Sequence, residues 1–350
     1  MKASSGSGRV TLTDVARRAG VSHATASRAL NGSARNVRSE YRDRVLAAAA
    51  ELGYVANTAA QAVARGRGEH LALLVNGIND DYFSPIASAV LRAAEADDRM
   101  VTMISSRNSP QQATRVVSSL RAQRPRAVIL AGGRSVTTGV WDRRLSDELG
   151  AYQDEGGRVV AISEEGLPFD TVAVGNRAAG FDLASELADL GYREFTVLAG
   201  PPDARTAYDR VQGFRAALAE RGLAVPESRV IHCDFDRDGG YAAAGEYLRR
   251  RNPAQLVFAI SDTVAVGAIA RFREAALDLP GDVAVAGIDD VPALRDVSPA
   301  LTTVRLPWSE VGRAALDLAV EQTGTEPRVI RMRGHVVLRE STPPAGPAPD

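Results

Sequence analysis

From residue 71 onward, short uninterrupted apolar runs alternate with longer stretches in which apolar positions recur every three or four residues. The runs LALLVN (71–76), MVTMIS (100–105), AVILAG (127–132), RVVAIS (158–163), FTVLAG (195–200), LVFAIS (256–261) and VAVAGI (283–288) have the length of strands. Their lack of polar alternation predicts burial on both faces. Residues 83–97, 110–123, 176–190, 208–221 and 262–276 carry the helical period. Strands alternating with helices predict an α/β body of parallel sheets covered on both sides. More than 250 residues exceed what one sheet needs, so two doubly wound lobes are expected, with a ligand site at the carboxyl ends of the strands, where the lobes face each other.

The first fifty residues follow a different pattern, that of three short helices. Thr13-Asp14 is expected to cap the first, Val15, Ala16 and Ala19 form its apolar face, and Gly20 stops it by accepting a left-handed backbone. Ser22 caps the second, turning Thr25, Ala26, Ala29 and Leu30 inward and His23, Ala24, Ser27 and Arg28 largely outward, before Asn31-Gly32 ends it. A third helix over about 40–52 places Val45, Leu46, Ala49 and Leu52 at helical spacing and stops at Gly53. Two short helices joined by a tight glycine turn, with small residues Ala16, Gly20 and Ala26 at the contact, meet the requirement of a helix-turn-helix. Its second helix would enter the major groove, with His23, Ala24 and Arg28 at base edges and Arg28 able to grip a guanine through two hydrogen bonds. Thr11, Ser22, Thr25, Ser27 and Asn31 suit phosphate contacts. Singly, each of these residues could equally be a cap or a solvated side chain; the ordered spacing points to DNA.

Charge sharpens this division. The 350-residue chain has a net charge of −1, yet residues 1–68 carry +7 and the remainder −8. A basic head on an acidic body is expected when a small domain meets a polyanion. At 45% hydrophobic and 24% charged residues the chain is too apolar for disorder. A single cysteine, Cys233, and four scattered histidines offer neither an intramolecular disulfide nor metal-ligand spacing, so no metal and no cofactor is expected. No signal peptide or membrane-spanning run is recognisable, which predicts a cytoplasmic protein with no membrane partner.

TLTDVARRAGVSHATASRALNG followed by RVLAAAAELGYVAN closely resembles the N-terminal region of the LacI/GalR family of bacterial transcription regulators. The resemblance continues to about residue 340, through LAGPPDARTAYDRVQGFRAAL (198–218), Ile260-Ser-Asp262, Gly287-Ile-Asp-Asp290 and LTTVRLPW (301–308). It implies a helix-turn-helix domain over 1–56, a hinge helix and linker over 57–68, and a two-lobed, periplasmic-binding-protein-like effector and dimerisation domain over 69–340. The hinge would contact operator DNA through Asn57 and Ala60 and wedge Val63 into the minor groove. Val63 stands where leucine is usual, Ala56 where proline is common and Ala26 where a larger apolar residue is common. In the body the resemblance assigns effector contacts to Arg210 and Asp289, an arginine and a carboxylate opposed across the cleft, with Phe83, Phe235 and Trp308 as walls and Thr206 and Asn176 as further contacts. Each of these also has an ordinary structural reading, a salt bridge for Arg210 and core packing for the aromatics. Ser163 replaces an aspartate of some sugar-responsive members and Ser261 a frequent asparagine, so fewer polar hooks are expected. The implied partners are a pseudo-palindromic operator, a sugar or glycoside effector with a nucleoside as the alternative, and a second copy of the chain.

An enzyme finds little support, since nucleophile-elbow, phosphate-loop and zinc-protease motifs are missing and neighbours on a strand, such as His232 and Cys233, point to opposite faces. A solute-binding protein would suit the body alone; the basic head argues against it. The Pro-rich 341–350 segment lacks the apolar heptads of a tetramerising coiled coil and is expected to be a disordered tail.

Overall fold

The computed structural model describes residues 10–30, 37–55, 68–77, 82–107, 109–132, 143–321 and 326–345. The chain divides into two compact units, Met1–Glu69 and His70–Asp350.

The first unit contains α1 (Leu12–Ala19), α2 (His23–Leu30) and α3 (Ser39–Glu51), packed around Val15, Ala16, Ala19, Ala26, Ala29, Val45, Ala48 and Ala49. The cap of α1 is Thr11, not the expected Thr13-Asp14. Thr11 Oγ1 accepts from the Asp14 amide at 3.4 Å and the Asp14 carboxylate accepts from the Thr11 amide at 3.0 Å, a reciprocal capping box. Gly20 ends α1 at φ +65°, and the Arg44 guanidinium, donating to Ala19 O at 2.5 Å, lies where a Cβ on Gly20 would stand. Ser22 caps α2 as expected, its Oγ accepting from the Thr25 amide at 3.1 Å. Leu46 is not in the core. It is 44% exposed, because the face led by Val45 continues to Ala48 and Ala49, about a hundred degrees per residue away from Leu46.

The second unit is built on two parallel sheets. β1 (Leu71–Val75), β2 (Val101–Ser105), β3 (Ala127–Ala131), β4 (Arg158–Ser163), β5 (Asp170–Val174) and β11 (Val329–Met332) form the first, in the order β11-β5-β4-β3-β1-β2. Its strand residues divide between two cores by parity. Leu71, Leu73, Ile129 and Val160 join the core of α4 (Phe83–Ala96) and α11 (Trp308–Val320), while Ala72, Leu74, Leu130 and Val159 join that of α5 (Pro110–Gln123) and α6 (Arg143–Asp154). This double burial is why the apolar runs show no alternation.

The second sheet has the order β7-β6-β8-β9, from β6 (Phe195–Ala199), β7 (Val230–His232), β8 (Leu256–Ala259) and β9 (Ala284–Ala286). It is covered by α7 (Asn176–Asp189) packed on α8 (Arg205–Glu220), and α9 (Arg237–Arg250) packed on α10 (Asp262–Glu274). The chain crosses between lobes at β5 to α7, through β10 (Thr303–Arg305) into α11, and from β11 through β12 (His335–Val337); β10 and β12 pair antiparallel. Helices α6, α9 and α11 and strands β5, β7, β10, β11 and β12 were not among the expected elements.

Residues 341–345 do not form the start of a disordered tail. Ser341 and Thr342 are buried, Ser341 Oγ donates to Val285 O at 2.6 Å, and the Ala345 amide donates to Leu190 O at 2.8 Å. After the third crossing the chain closes the second lobe, and the Ala345 amide together with Tyr192, whose hydroxyl donates to Pro343 O at 2.6 Å, holds Pro343 and Pro344 in place.

Candidate functional site

In the head, His23, Ala24 and Arg28 lie exposed on α2, opposite the buried Ala26 and Ala29. Among the described residues Arg28 has no side-chain partner, whereas Arg18 of α1 is tied to Glu51 of α3 at 2.6 Å. Thr11 and Ser22 serve as caps, and Ser22 Oγ and Thr25 Oγ1 share a 2.8 Å hydrogen bond. Ser27 is half-buried. The face turned outward therefore offers an imidazole, a methyl group and a guanidinium, the groups that read guanine acceptors and thymine methyls. Asn31, Asn57, Ala60 and Val63 lie outside the described residues, as does Ala56.

In the body, two glycines set the geometry. A Cβ on Gly180 of α7 would stand 2.0 Å from Arg210 O, and one on Gly213 of α8 would stand 1.9 Å from Arg177 O. Their absence lets the helix backbones touch and brings Asn176, the first residue of α7, against Arg210 in α8. Arg210 is fully buried. Its Nε donates to Asn176 Oδ1 at 3.0 Å, Nη1 to Ile260 O at 2.8 Å, and Nη2 to Asp289 Oδ1 at 2.6 Å. The expected opposition of Arg210 and Asp289 across the cleft is thus corrected: α8 and the turn after β9 belong to one lobe, and the two side chains pair directly. Asp289 and Asp290 occupy that turn at φ +124° and +53°. Asp290 faces away, toward Arg295, Arg305 and Arg339. Burial works against its ionisation, but hydrogen bonds from Arg339 and Arg305 hold its carboxyl below the usual range.

Across from this cluster, at the head of α4, Tyr82 places its ring 5.5 Å from Arg210 Cζ; Phe235 approaches the same atom at 6.0 Å. Tyr82 meets Phe83 and Trp308 edge to face, at 5.1 and 5.4 Å. Phe83 itself is core. Burial pushes the Tyr82 phenol up to about 12, so it is neutral and can donate. Arg210 Nε fixes the Asn176 amide with its oxygen toward the guanidinium and its Nδ2 beside the Tyr82 phenol, where among the described residues it reaches no acceptor in full hydrogen-bond geometry; Trp308 Nε1 is likewise buried and unmatched among them. Two unmet N–H donors beside aromatic faces suit a ligand with acceptor oxygens and an apolar face.

Thr206, one helical turn before Arg210, donates through Oγ1 to Glu164 Oε1 at 3.2 Å, and Ser163 Oγ donates to Glu164 Oε2 at 2.9 Å. Tyr82 and Glu164 escaped sequence reasoning. The available signals were an aromatic pair opening a helix and a carboxylate directly after a strand. Ser261 caps α10 through a 3.3 Å bond from the Val264 amide. Cys233 Sγ donates to Ala199 O at 3.2 Å, and burial, then the charges of Asp234 and Asp236, push its thiol up to about 12, so it forms no thiolate pair with His232. Among the described residues no cluster of His, Cys, Asp or Glu is disposed to hold a metal, and no helix is long and apolar enough to cross a membrane.

Comparison with known proteins places this geometry. Residues 11–57 match the family of bacterial regulatory proteins, lacI family, and residues 184–342 match the periplasmic binding protein-like domain. The HTH-type transcriptional regulator CelR of Thermobifida fusca is 32% identical over 340 residues, covering 95% of this chain and 98% of the relative. A solved complex of the transcriptional regulator CelR with cellobiose is 29% identical, with a TM-score of 0.68 over 95% of this chain and all of that one. The lac repressor dimer bound to operator and the anti-inducer ONPF shares the fold, with a TM-score of 0.81 at 23% identity over 96% of this chain and all of that one. With a helix-turn-helix at one end and a two-lobed binding body joined to it, the chain belongs to the LacI family of bacterial transcription regulators.

Proposed function

We propose that this protein is a cytoplasmic repressor that binds a pseudo-palindromic operator as a homodimer and changes its DNA affinity when a sugar or glycoside enters the cleft of the body. The reading is carried by one conjunction: an outward-facing His23, Ala24 and Arg28 on α2, in the same chain as the Arg210 cluster with Tyr82 and Trp308 beside it, where the Asn176 and Trp308 N–H donors are buried and unmatched among the described residues. One head reads a half-site only, so affinity requires two. Asn57, Ala60 and Val63 would add minor-groove contacts from the hinge. Thr11, Ser22, Thr25, Ser27 and Asn31 would set register on the phosphates. In the body, Arg210 acts with Asp289 and Asn176 as one preassembled polar wall, Thr206 lies a turn away, and Phe235 and Trp308 supply apolar faces. Phe83 backs this wall from the core. Ligand favours one closure of the lobes, and closure alters how the two copies present their heads. The CelR–cellobiose complex supports a saccharide as the ligand class; a nucleoside is the alternative that the same aromatic faces would accept.

The test is selection of bound sequences from random duplex DNA by the full-length protein at fixed near-physiological salt, because non-specific affinity falls steeply with salt. A palindrome with half-sites about one helical turn apart is expected. Salt-sensitive binding with no shared motif would overturn the operator reading. Removal of residues 1–68 should abolish DNA binding and leave ligand binding to the body.

A further inference from the structure

We propose that the Asp262 carboxyl is a proton-operated clasp of the hinge between the lobes: neutral, it fastens the β10 crossing and the Asp289–Asp290 turn to α10, and ionised, it lets both loosen. This adds a response to protons to the ligand response proposed above and does not depend on which ligand fills the cleft. The clasp lies where three segments of the second lobe meet. Two backbone bonds tie the β10 crossing to the turn, from the Gly287 amide to Thr302 O and from the Asp289 amide to Val304 O, both at 2.9 Å. Asp262 adds the third link. Its amide donates to Ile288 O at 2.8 Å, its Oδ1 accepts from Thr303 Oγ1 at 2.7 Å and its Oδ2 from the Val291 amide at 2.9 Å. Thr303 Oγ1 also accepts from the Asp290 amide at 3.2 Å, so one carboxyl and one hydroxyl join α10, the turn and the crossing strand. A Cβ on Gly287 would stand 2.3 Å from Asp262 Oδ1, which shows how closely the carboxyl packs on the end of β9.

The charges around the clasp disfavour its ionised form. The turn brings two carboxylates near it, Asp289 and Asp290. Arg210 of α8 pairs with the first, while Arg295, Arg305 of β10 and Arg339 pair with the second, so these guanidiniums are committed to its neighbours. Burial first, and the Asp289 charge second, push the Asp262 carboxyl up to about 7 from an ordinary 3.8. An opening that brings it to water restores the ordinary value. Between the two values the closed joint holds a proton that the open one releases. Rising pH therefore favours opening, by up to about tenfold per pH unit, and the effect levels off above 7. Protonated on Oδ1, the carboxyl donates to Thr303 in place of accepting from it and keeps both links. Because β10 is one of three crossings, a loosened joint frees the lobes to turn about the hinge.

The experiment is hydrogen exchange read by mass spectrometry on the full-length protein from pH 5 to 8, corrected for the intrinsic pH dependence of exchange. Peptides holding the Gly287, Asp289 and Val291 amides should lose protection by up to about tenfold per pH unit below 7, and should exchange faster than those of β6 and β8 in the same lobe. Asp262→Asn keeps an acceptor for Val291 and gains a donor for Thr303 without a charge, so its protection should not vary with pH. His335, in register with Arg305 where β12 pairs with β10, is the control, being of the residue type whose charge ordinarily changes in this range. His335→Gln should preserve the wild-type slope. Four results would overturn the proposal: a flat wild-type profile, a slope that survives Asp262→Asn, a slope that vanishes with His335→Gln, or joint amides that exchange no faster than those of β6 and β8. Should Asp262→Asn fail to fold, the wild-type and His335→Gln profiles decide by themselves.

Discussion

Arg210 and Asp289, 79 residues apart in sequence, form an ion pair sealed within one lobe, with Nη2 to Oδ1 at 2.6 Å and side chains 0% and 6% exposed. Such a pair is a structural commitment as well as a ligand wall. Asp289→Ala would leave the guanidinium buried without its counter-charge, at a cost of about 3–5 kcal/mol. Urea unfolding should register that loss, and an Arg210→Met/Asp289→Leu double variant should recover most of it, because removing both charges also removes the desolvation penalty. An Asp289→Ala protein as stable as wild type would show that Arg210 keeps its place without the carboxylate.

Asp262 opens α10, fully buried, its oxygens accepting from Thr303 Oγ1 at 2.7 Å and the Val291 amide at 2.9 Å. Burial, and then the neighbouring Asp289 charge, push its carboxyl up to about 7 from an ordinary 3.8. Between those values the folded protein keeps a proton that the unfolded chain has released. This group therefore favours the folded state at lower pH, and that contribution is lost as pH rises toward 7, at up to about 1.4 kcal/mol per pH unit. Asp262→Asn can accept from Val291 and donate to Thr303 without bearing a charge. Its melting temperature should exceed that of wild type at pH 8, with the gap closing toward pH 4; a pH-independent gap would exclude titration of Asp262 as the cause.

Gly213→Ala tests the helix contact that assembles the cleft. The new methyl group would stand 1.9 Å from Arg177 O, so α7 and α8 must separate. A destabilisation of at least about 1–3 kcal/mol is expected, together with weaker ligand binding as Asn176 leaves Arg210. Gly150→Ala is the control. Nothing lies within 4 Å of a Cβ there, and within α6 alanine should stabilise by about 0.5–1 kcal/mol.

Arg28→Ala removes an exposed guanidinium from α2 without touching the head core of Val15, Ala26 and Val45. Operator affinity should fall by about 1–3 kcal/mol and the sequence preference should relax at one base pair of each half-site. Binding-site selection repeated with the variant reads both effects. An unchanged preference would assign Arg28 to the phosphates.

The linear pattern of the chain was enough to determine its division into a helical head and an α/β body, the three head helices, the cap at Ser22 and the stop at Gly20, because each depends on neighbours within a few residues. It also determined most long strands, since burial on both faces leaves continuous apolar runs such as Leu71–Val75. Where a partner supplied the stability, the pattern was silent. β5 begins with Asp170, whose carboxylate accepts from the Arg328 amide at 2.8 Å, and β11 reads VIRM with alternate residues exposed at a sheet edge. Leu46 carries the right chemistry for a core but lies off the face that α3 buries. The tertiary structure alone decided that Arg210 and Asp289 share a lobe, that Tyr82 covers the guanidinium, and that Glu164 reaches Thr206 across the cleft. Periodicity is a local property of a backbone, whereas these pairings depend on the order of strands in two sheets and on the path of three crossings between them.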